Sequence, residues 1–380
     1  MVYDGNGGNP QKTDIAIKAD TIAFMGDLSN ENNAKSIIDA KGMAVAPGFV
    51  NMLSWSTESL IEDGRSLGEV TQGITLEVMG EGDSMGPLSN SMKADMQKNQ
   101  GDIKYKIEWN SLSEYLNYLE KRGVSTNIAS FVGASTVRAN ELGYANRPPK
   151  VEEMERMKNH VRKAMKEGAM GIGSALIYVP GTYANTNELV ELSKVAAEYG
   201  GMYISHIRSE GNRLESAIDE VITIAKEANI HAEIYHLKVA GKQNWSKMDK
   251  IITKIDSARK AGINVTTNMY NYIAGATGLD AAMPPWVQEG GLQEWRRRLK
   301  TSTISTQVGK EMSIQQNDWE NLCLSAGADK TLLIGFKQDS LKKYIGKTLA
   351  EVAAIKKKTW YETAMELVIR SEERRVGKKC

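Results

Sequence analysis

Apolar residues recur at two different periods along this chain. From Asp14 to Met25 the stretch DIAIKADTIAFM sets Ile15 with Ile17, and Ile22 with Phe24, at period two around a Lys-Ala-Asp turn, which predicts a β-hairpin. SIIDAKGMAV, from Ser36 to Val45, reads as a further strand-like piece with a Lys-Gly turn, so residues 1–45 are expected to form the N-terminal part of a small β-sandwich layer. Beyond Pro148 the period becomes helical, with Met154, Met157, Val161 and Met165 on one face. The strand-like GIGSALIY follows, then a helix predicted over 187–199 with Leu189, Leu192 and Val195 on one side. Two further units repeat this order. MYISH, ending at His206, leads into a helix carrying Leu214, Ile218, Val221 and Ala225, and AEIYH, ending at His236, leads into one carrying Met248, Ile251, Ile252 and Ile255. INVTT then opens another strand. Strands about every 30 residues, each followed by an amphipathic helix, predict a parallel α/β barrel or a doubly wound sheet. His206, His236 and Tyr270 gather where the strands end, and in a barrel those ends converge on one mouth. From Leu279 to about Trp360 the pattern is less regular, which predicts an insertion or small helical subdomain at about 280–360, with Arg296, Arg297 and Arg298 as a solvated helix face.

Composition narrows the classes of partner. A chain of 380 residues accommodates one large α/β body with a modest appendage. Its 48 Lys and Arg against 47 Asp and Glu leave a net charge of +1, which argues against nucleic acid or an anionic membrane as partner and for a small-molecule substrate. No apolar run approaches the roughly 18 residues of a membrane span. Cys323 and Cys380 have no CxxC spacing, which disfavours a disulfide scaffold and a thiolate zinc site, and the default location is the reducing cytoplasm. VYDG directly after Met1 reads as the middle of a strand and turn, so a leader missing from this sequence stays open. The oligomeric state is not legible.

Of four histidines, His160 lies in a charged helix and His231 opens its strand at the end away from the mouth, so both are expected to be bystanders. Adjacent strands lie nearly 5 Å apart, which brings His206 and His236 within reach of one ion at about 2.0 Å from each. Two hydrogen-bonded strand-end histidines without a ligand explain the spacing equally well. Lys238 follows His236 by two residues and so points to the same side of its strand. A buried lysine is costly unless paired, and a substrate carboxylate is a natural partner.

The motifs favour the metal reading. YISHIRSEG from Tyr203 to Gly211 and IYHLKVAGKQNW from Ile234 to Trp245 resemble the paired S-H-x-R-x-E and S-H-x-K motifs of the N-acyl-D-amino-acid deacylases, a branch of the amidohydrolase superfamily. The resemblance extends through IDAKGMAVAPGF, QGITLEVMGEG, GAMGIGSALIYVPGTYA and NMYNYIAGATGL, up to about Arg370. It implies a (β/α)8 TIM-type barrel over 46–370, incomplete here, with a small β-sandwich appendage. It implies zinc, held by His206 and His236, and hydrolysis of the amide of an N-acyl amino acid by a zinc-activated water. The family's third ligand is a cysteine; here the text is Gly80-Glu81-Gly82-Asp83, so Glu81 is the expected replacement and Asp83 the runner-up. The family's PGF(I/V)D phrase is followed by His-x-His, whereas APGFVNMLSWSTESL carries Leu53 and Trp55 there. One divalent metal is therefore expected rather than two, with Trp55 either an acyl-chain wall or ordinary packing. By the same resemblance Lys238, Tyr178 and Tyr270 hold the substrate, and Arg208 and Glu210 form an ion pair or an outer layer of the site. The family phrase GH(G/S)T-x-R appears as GASTVR from Gly133 to Arg138, with Ala134 in the histidine's place.

The family's general base is an aspartate in an S-D-(A/G) phrase, which this sequence does not contain. The resemblance stops near MELVIRSE, and RSEERRVGKKC reads as foreign sequence, so residues 371–380 are expected to be a non-native tail and the base to lie beyond the C terminus of a truncated chain. Two other functions remain open: a cyclic-amide or dipeptide hydrolase on the same scaffold, and a non-catalytic barrel that has lost its metal.

Overall fold

The computed structural model describes residues 1–30, 33–370 and the backbone of 376–379. The predicted hairpin forms: β1 (Asp14–Lys18) pairs antiparallel with β2 (Thr21–Gly26). The strand expected over Ser36–Val45 does not. Val45 forms an isolated bridge to Val2, which also bridges Gln11, and the Met43 carbonyl accepts from the N-terminal amine at 3.3 Å. Ile37 and Ile38 stay 77% and 85% exposed, because no neighbouring strand meets their backbone or covers their side chains.

The main body is a run of parallel strands in sequence order. β3 (Phe49–Asn51), β4 (Ile74–Met79) and β5 (Asn127–Ser130) form one sheet; β6 (Val132–Gly133), β7 (Gly171–Ala175), β8 (Met202–His206), β9 (His231–Ile234) and β10 (Val265–Thr267) form the next. Phe131 alone separates β5 from β6, and its amide still bonds Met79 O at 2.9 Å, so the two sheets share one continuous path. Helices cover the sheet between strands: Val151–Lys166, Thr186–Ala197, Leu214–Glu227 and Met248–Lys260. Asn185 starts the second, its side chain accepting from the Glu188 amide at 2.9 Å. Each helix buries its apolar stripe on the sheet. Leu214, Ile218 and Val221 are fully enclosed, each worth about 1.5–3 kcal/mol relative to exposure.

Strand residues alternate between two cores, as period two requires. Met79, Tyr203 and Ala232 join the large core under the helices, while Val78, Ile204 and Tyr235 build a smaller cluster with Phe131 on the other face. Leu53 packs against that smaller cluster, so it is part of an apolar floor rather than a polar mouth.

The irregular region has a core of its own, running from Leu279 through Val308 and Leu349 to Val368. Arg297 pairs with Glu294 on the surface, whereas Arg298 donates to the carbonyls of Val287 and Glu289, so the arginine run is only partly a solvated face. β11 (Ala274–Thr277) and β12 (Thr331–Leu333) flank β13 (Val376–Lys379) in an antiparallel sheet. The tail read as foreign therefore contributes paired backbone at Val376–Lys379, and its other residues, Cys380 among them, lie outside the described residues. No helix among the described residues is long and apolar enough to cross a membrane.

Candidate metal centre

Three strand ends bring the candidate ligands together. β4 stops at Met79, and Glu81 is turned inward by glycines with positive φ on either side, Gly80 at +106° and Gly82 at +74°. A Cβ on Gly80 would lie 2.4 Å from Phe131 O and one on Gly82 2.7 Å from the Ala175 Cβ, so the turn tolerates no side chain at either position. His206 is the last residue of β8, in register with Ala175 of β7. β9 ends at Ile234, two residues before His236.

His236 adopts φ +39°, a left-handed conformation that costs a residue with a Cβ on the order of 1 kcal/mol or more. Asn268 fixes it, its side-chain oxygen accepting the His236 amide at 2.8 Å and its carbonyl accepting the Leu237 amide at 3.0 Å. Strain imposed at the end of a strand is characteristic of a functional position.

Glu81 Oε1 lies 3.1 Å from His206 Nδ1 and 3.2 Å from His236 Nε2, and the three ligand atoms lie within 4.8 Å of one another. All three side chains are buried. Burial alone would push the Glu81 carboxyl up, but the hydrogen bonds and charges of His206 and His236 outweigh it and hold the carboxyl well below the ordinary range. Burial works against a charge on His236, yet Glu210 and Glu81 raise it to about 9. Asp83, the runner-up ligand, is exposed and adds no atom to the cluster.

The donor set fits a divalent cation. Donors each roughly 2.0–2.2 Å from a tetrahedral ion stand about 3.4 Å apart, close to the 3.1 and 3.2 Å that separate Glu81 Oε1 from the two histidines. His206 Nε2 is buried without a hydrogen-bond partner among the described residues, 3.9 Å from Glu210 Oε1.

Of the two readings for Arg208 and Glu210, an ion pair or an outer layer of the site, the mutual ion pair does not form and Glu210 lies beside His236. Arg208 does not pair with Glu210. Its guanidinium binds Glu220 at 2.9 Å and the carbonyls of Thr182 and Ala184, which braces the loop after Tyr178. Glu210 turns the other way, 2.5 Å from Lys238 Nζ and 3.1 Å from His236 Nδ1. Lys238 thus has a counter-ion within the protein and does not need a substrate carboxylate to be stable, although its ammonium also stands 5.5 Å over the Tyr270 ring. Tyr178 packs edge-on to His206 at 5.4 Å between centroids and shares a 2.7 Å hydrogen bond with Thr277. Tyr270 faces His236 at 6.2 Å. His160 binds Glu141 and His231 binds Thr266.

Two features were not read from the sequence. Glu320, from the irregular region, accepts from the Ser209 hydroxyl and from the amides of Glu210 and Gly211 at 3.0 and 2.6 Å, fixing the loop that carries Glu210. The indole N–H of Trp55 donates to Glu81 Oε2 at 2.8 Å.

No family model matches the chain. It is 30% identical over 282 residues to a D-aminoacylase and 32% identical over 279 residues to an N-acyl-D-glutamate deacylase, both from Alcaligenes xylosoxydans xylosoxydans, covering 73% of this chain in each case. The crystal structure of a D-aminoacylase, described as defining a novel subset of amidohydrolases, superposes over the whole chain and 69% of its own length, with a TM-score of 0.79 and 26% identity. The chain is a homologue of these D-aminoacylases within the amidohydrolases. It spans 57% and 56% of the lengths of the two sequence relatives.

Proposed function

We propose that this chain carries the metal site of an enzyme that hydrolyses the amide bond of N-acyl-D-amino acids, with one divalent cation, zinc, held by Glu81, His206 and His236. The observation that carries the reading is the convergence of those three ligand atoms within 4.8 Å at the ends of neighbouring parallel strands. The relatives are named for action on N-acyl-D-amino acids. A further D-aminoacylase structure, 25% identical, is described as showing one-metal activation and second-metal attenuation in a binuclear centre. That supports a single activating cation here, where Leu53 and Trp55 offer no second set of ligands.

When bound, zinc supplies Lewis-acid polarisation of the amide carbonyl and lowers the pKa of a water. The chain's own groups set the surroundings. Glu210 accepts from Lys238 and faces His236 Nδ1, so the imidazole is oriented by a carboxylate on the side away from Glu81, an outer arrangement that raises ligand basicity. Burial and the nearby Glu81 charge push the Tyr178 hydroxyl up, so at neutral pH it remains a neutral hydrogen-bond donor beside His206. Tyr270 and Lys238 form the opposite wall, where the substrate's carboxylate can draw on the ammonium. The barrel body over 46–370 with its helical insertion serves as the scaffold, and the hairpin layer of 1–45 as an appendage.

The test is hydrolysis by the purified protein of matched N-acetyl-D- and N-acetyl-L-amino acids and of hydantoins, after chelation and after zinc is restored. The expected result is zinc-dependent release of the D-amino acid. Protein that binds no cation, or that acts only on L-substrates or cyclic amides, would overturn the proposal.

A further inference from the structure

The carboxylate at the centre of the site has two oxygens in unlike surroundings. Oε1 faces both histidines, at 3.1 and 3.2 Å, while Oε2 accepts the Trp55 indole N–H at 2.8 Å. The indole is 46% exposed, so it reaches Glu81 from the solvent side of the mouth, whereas Glu81 itself is buried. A free carboxylate rotates readily between one-oxygen and two-oxygen coordination, because both oxygens are equivalent. One fixed N–H donor removes that equivalence, since turning Oε2 toward the histidines would sacrifice a hydrogen bond to a charged acceptor.

We infer that Trp55 is a positioning residue that latches Glu81, so that it presents a single oxygen to the cation and the site takes up its metal in a low-coordinate, open form. The inference rests on the proposed metal site. The indole cannot ligate, but it orders the carboxylate that can. Outer hydrogen bonds of this kind typically change metal affinity by about 10- to 100-fold when removed. The contact spans the ends of β3 and β4, whose backbones are already joined by the Ser54 amide and Val78 O at 2.8 Å, so the latch acts between fixed strands.

Trp55→Phe deletes the N–H and keeps an aromatic ring; Trp55→Leu removes both and provides a second, independently folding background. Each variant and the parent protein would be stripped of metal, then titrated with zinc against a chromophoric chelator and with Co²⁺ followed by visible absorption. The expected result is zinc bound at least about tenfold more weakly in both variants. The Co²⁺ bands should also be weaker, because the released carboxylate adds its second oxygen and four-coordinate Co²⁺ absorbs more strongly than five-coordinate. Folding of the metal-free variants, followed by circular dichroism, should match the parent. Unchanged zinc affinity, or an unchanged Co²⁺ spectrum, in a folded variant overturns the latch. A parent protein that binds neither ion overturns the metal site itself, a result distinct from failure of the latch.

Discussion

Replacing Arg138 with Met tests how the body of the barrel is held together. Arg138 and Glu188 are joined at 2.5 Å with side-chain exposures of 1% and 2%, and the guanidinium also donates to the carbonyls of Ala145 and Arg147 at 3.1 and 2.5 Å. One side chain therefore ties the helix after β6 to the loop that follows it and to the helix over Thr186–Ala197. Methionine keeps much of the apolar stem but leaves a carboxylate buried without its cation. Breaking a buried pair from one side typically costs about 3–5 kcal/mol, which for a chain of this size corresponds to a melting point lower by about 4–6 °C. Burial already raises the Glu188 carboxyl above its ordinary 4.5, and the Arg138 charge opposes that rise. Without Arg138 it rises further. A carboxyl raised in the folded state disfavours folding above its unfolded value, so the variant's deficit should be smallest near about pH 4.5 and should grow toward neutrality. The assay is urea and thermal unfolding of the parent, Arg138→Met and the double variant with Glu188→Met, at two pH values. The double variant should recover much of the loss, because it removes the buried charge along with its partner. A loss below about 1 kcal/mol in the single variant, or a double variant less stable than the single one, would refute the reasoning.

The remaining predictions concern the site. His236→Ala should abolish tight cation binding measured by equilibrium dialysis and elemental analysis, since it removes one of three ligands; an unchanged metal content would remove His236 from the ligand set. In the metal-free protein His236 is raised from 6.5 to about 9, so its contribution to stability is present in full below about pH 6.5 and lost as pH rises through about 9. Urea midpoints of chelated protein should fall across that window in the parent but not in His236→Ala, and equal profiles would count against the Glu81–His236–Glu210 network. Lys238→Met should raise KM for N-acyl amino acids far more than for the corresponding amides that lack a carboxylate. Equal losses on both substrates would assign Lys238 to holding Glu210 and His236 rather than substrate.

What the sequence disclosed follows from which interactions are periodic. Buried faces recur every two or every 3.6 residues, so the hairpin, the helices over Val151–Lys166 and Leu214–Glu227, and the strand ending at His206 were all legible. Their ends placed both histidines at one mouth, whereas Glu81 was reached only through the resemblance, since the turn that aims it inward has no periodic signal. Ser36–Val45 has the composition of a strand, but a strand exists only by pairing, and composition does not say whether a neighbour arrives. Of the two readings for Arg208 and Glu210, the mutual ion pair is absent for a related reason. Arg208 and Glu210 are two apart just beyond β8, yet each finds its partner on another element, Glu220 on the following helix and Lys238 beyond β9.

The Trp55 contact lies further still from any pattern, because the indole N–H is a single donor reaching across 26 residues of sequence. Read by type, a tryptophan at a mouth means an apolar wall or packing, and its polar edge carries no periodic signal. What identifies its role is the asymmetry it imposes on Glu81, visible only when both oxygens are placed. An outer donor matters more at a carboxylate than at a thiolate, since a thiolate offers one ligand atom and a carboxylate offers two. A carboxylate ligand must therefore settle which oxygen binds, and an N–H donor fixed between neighbouring strands is a sufficient means of doing so.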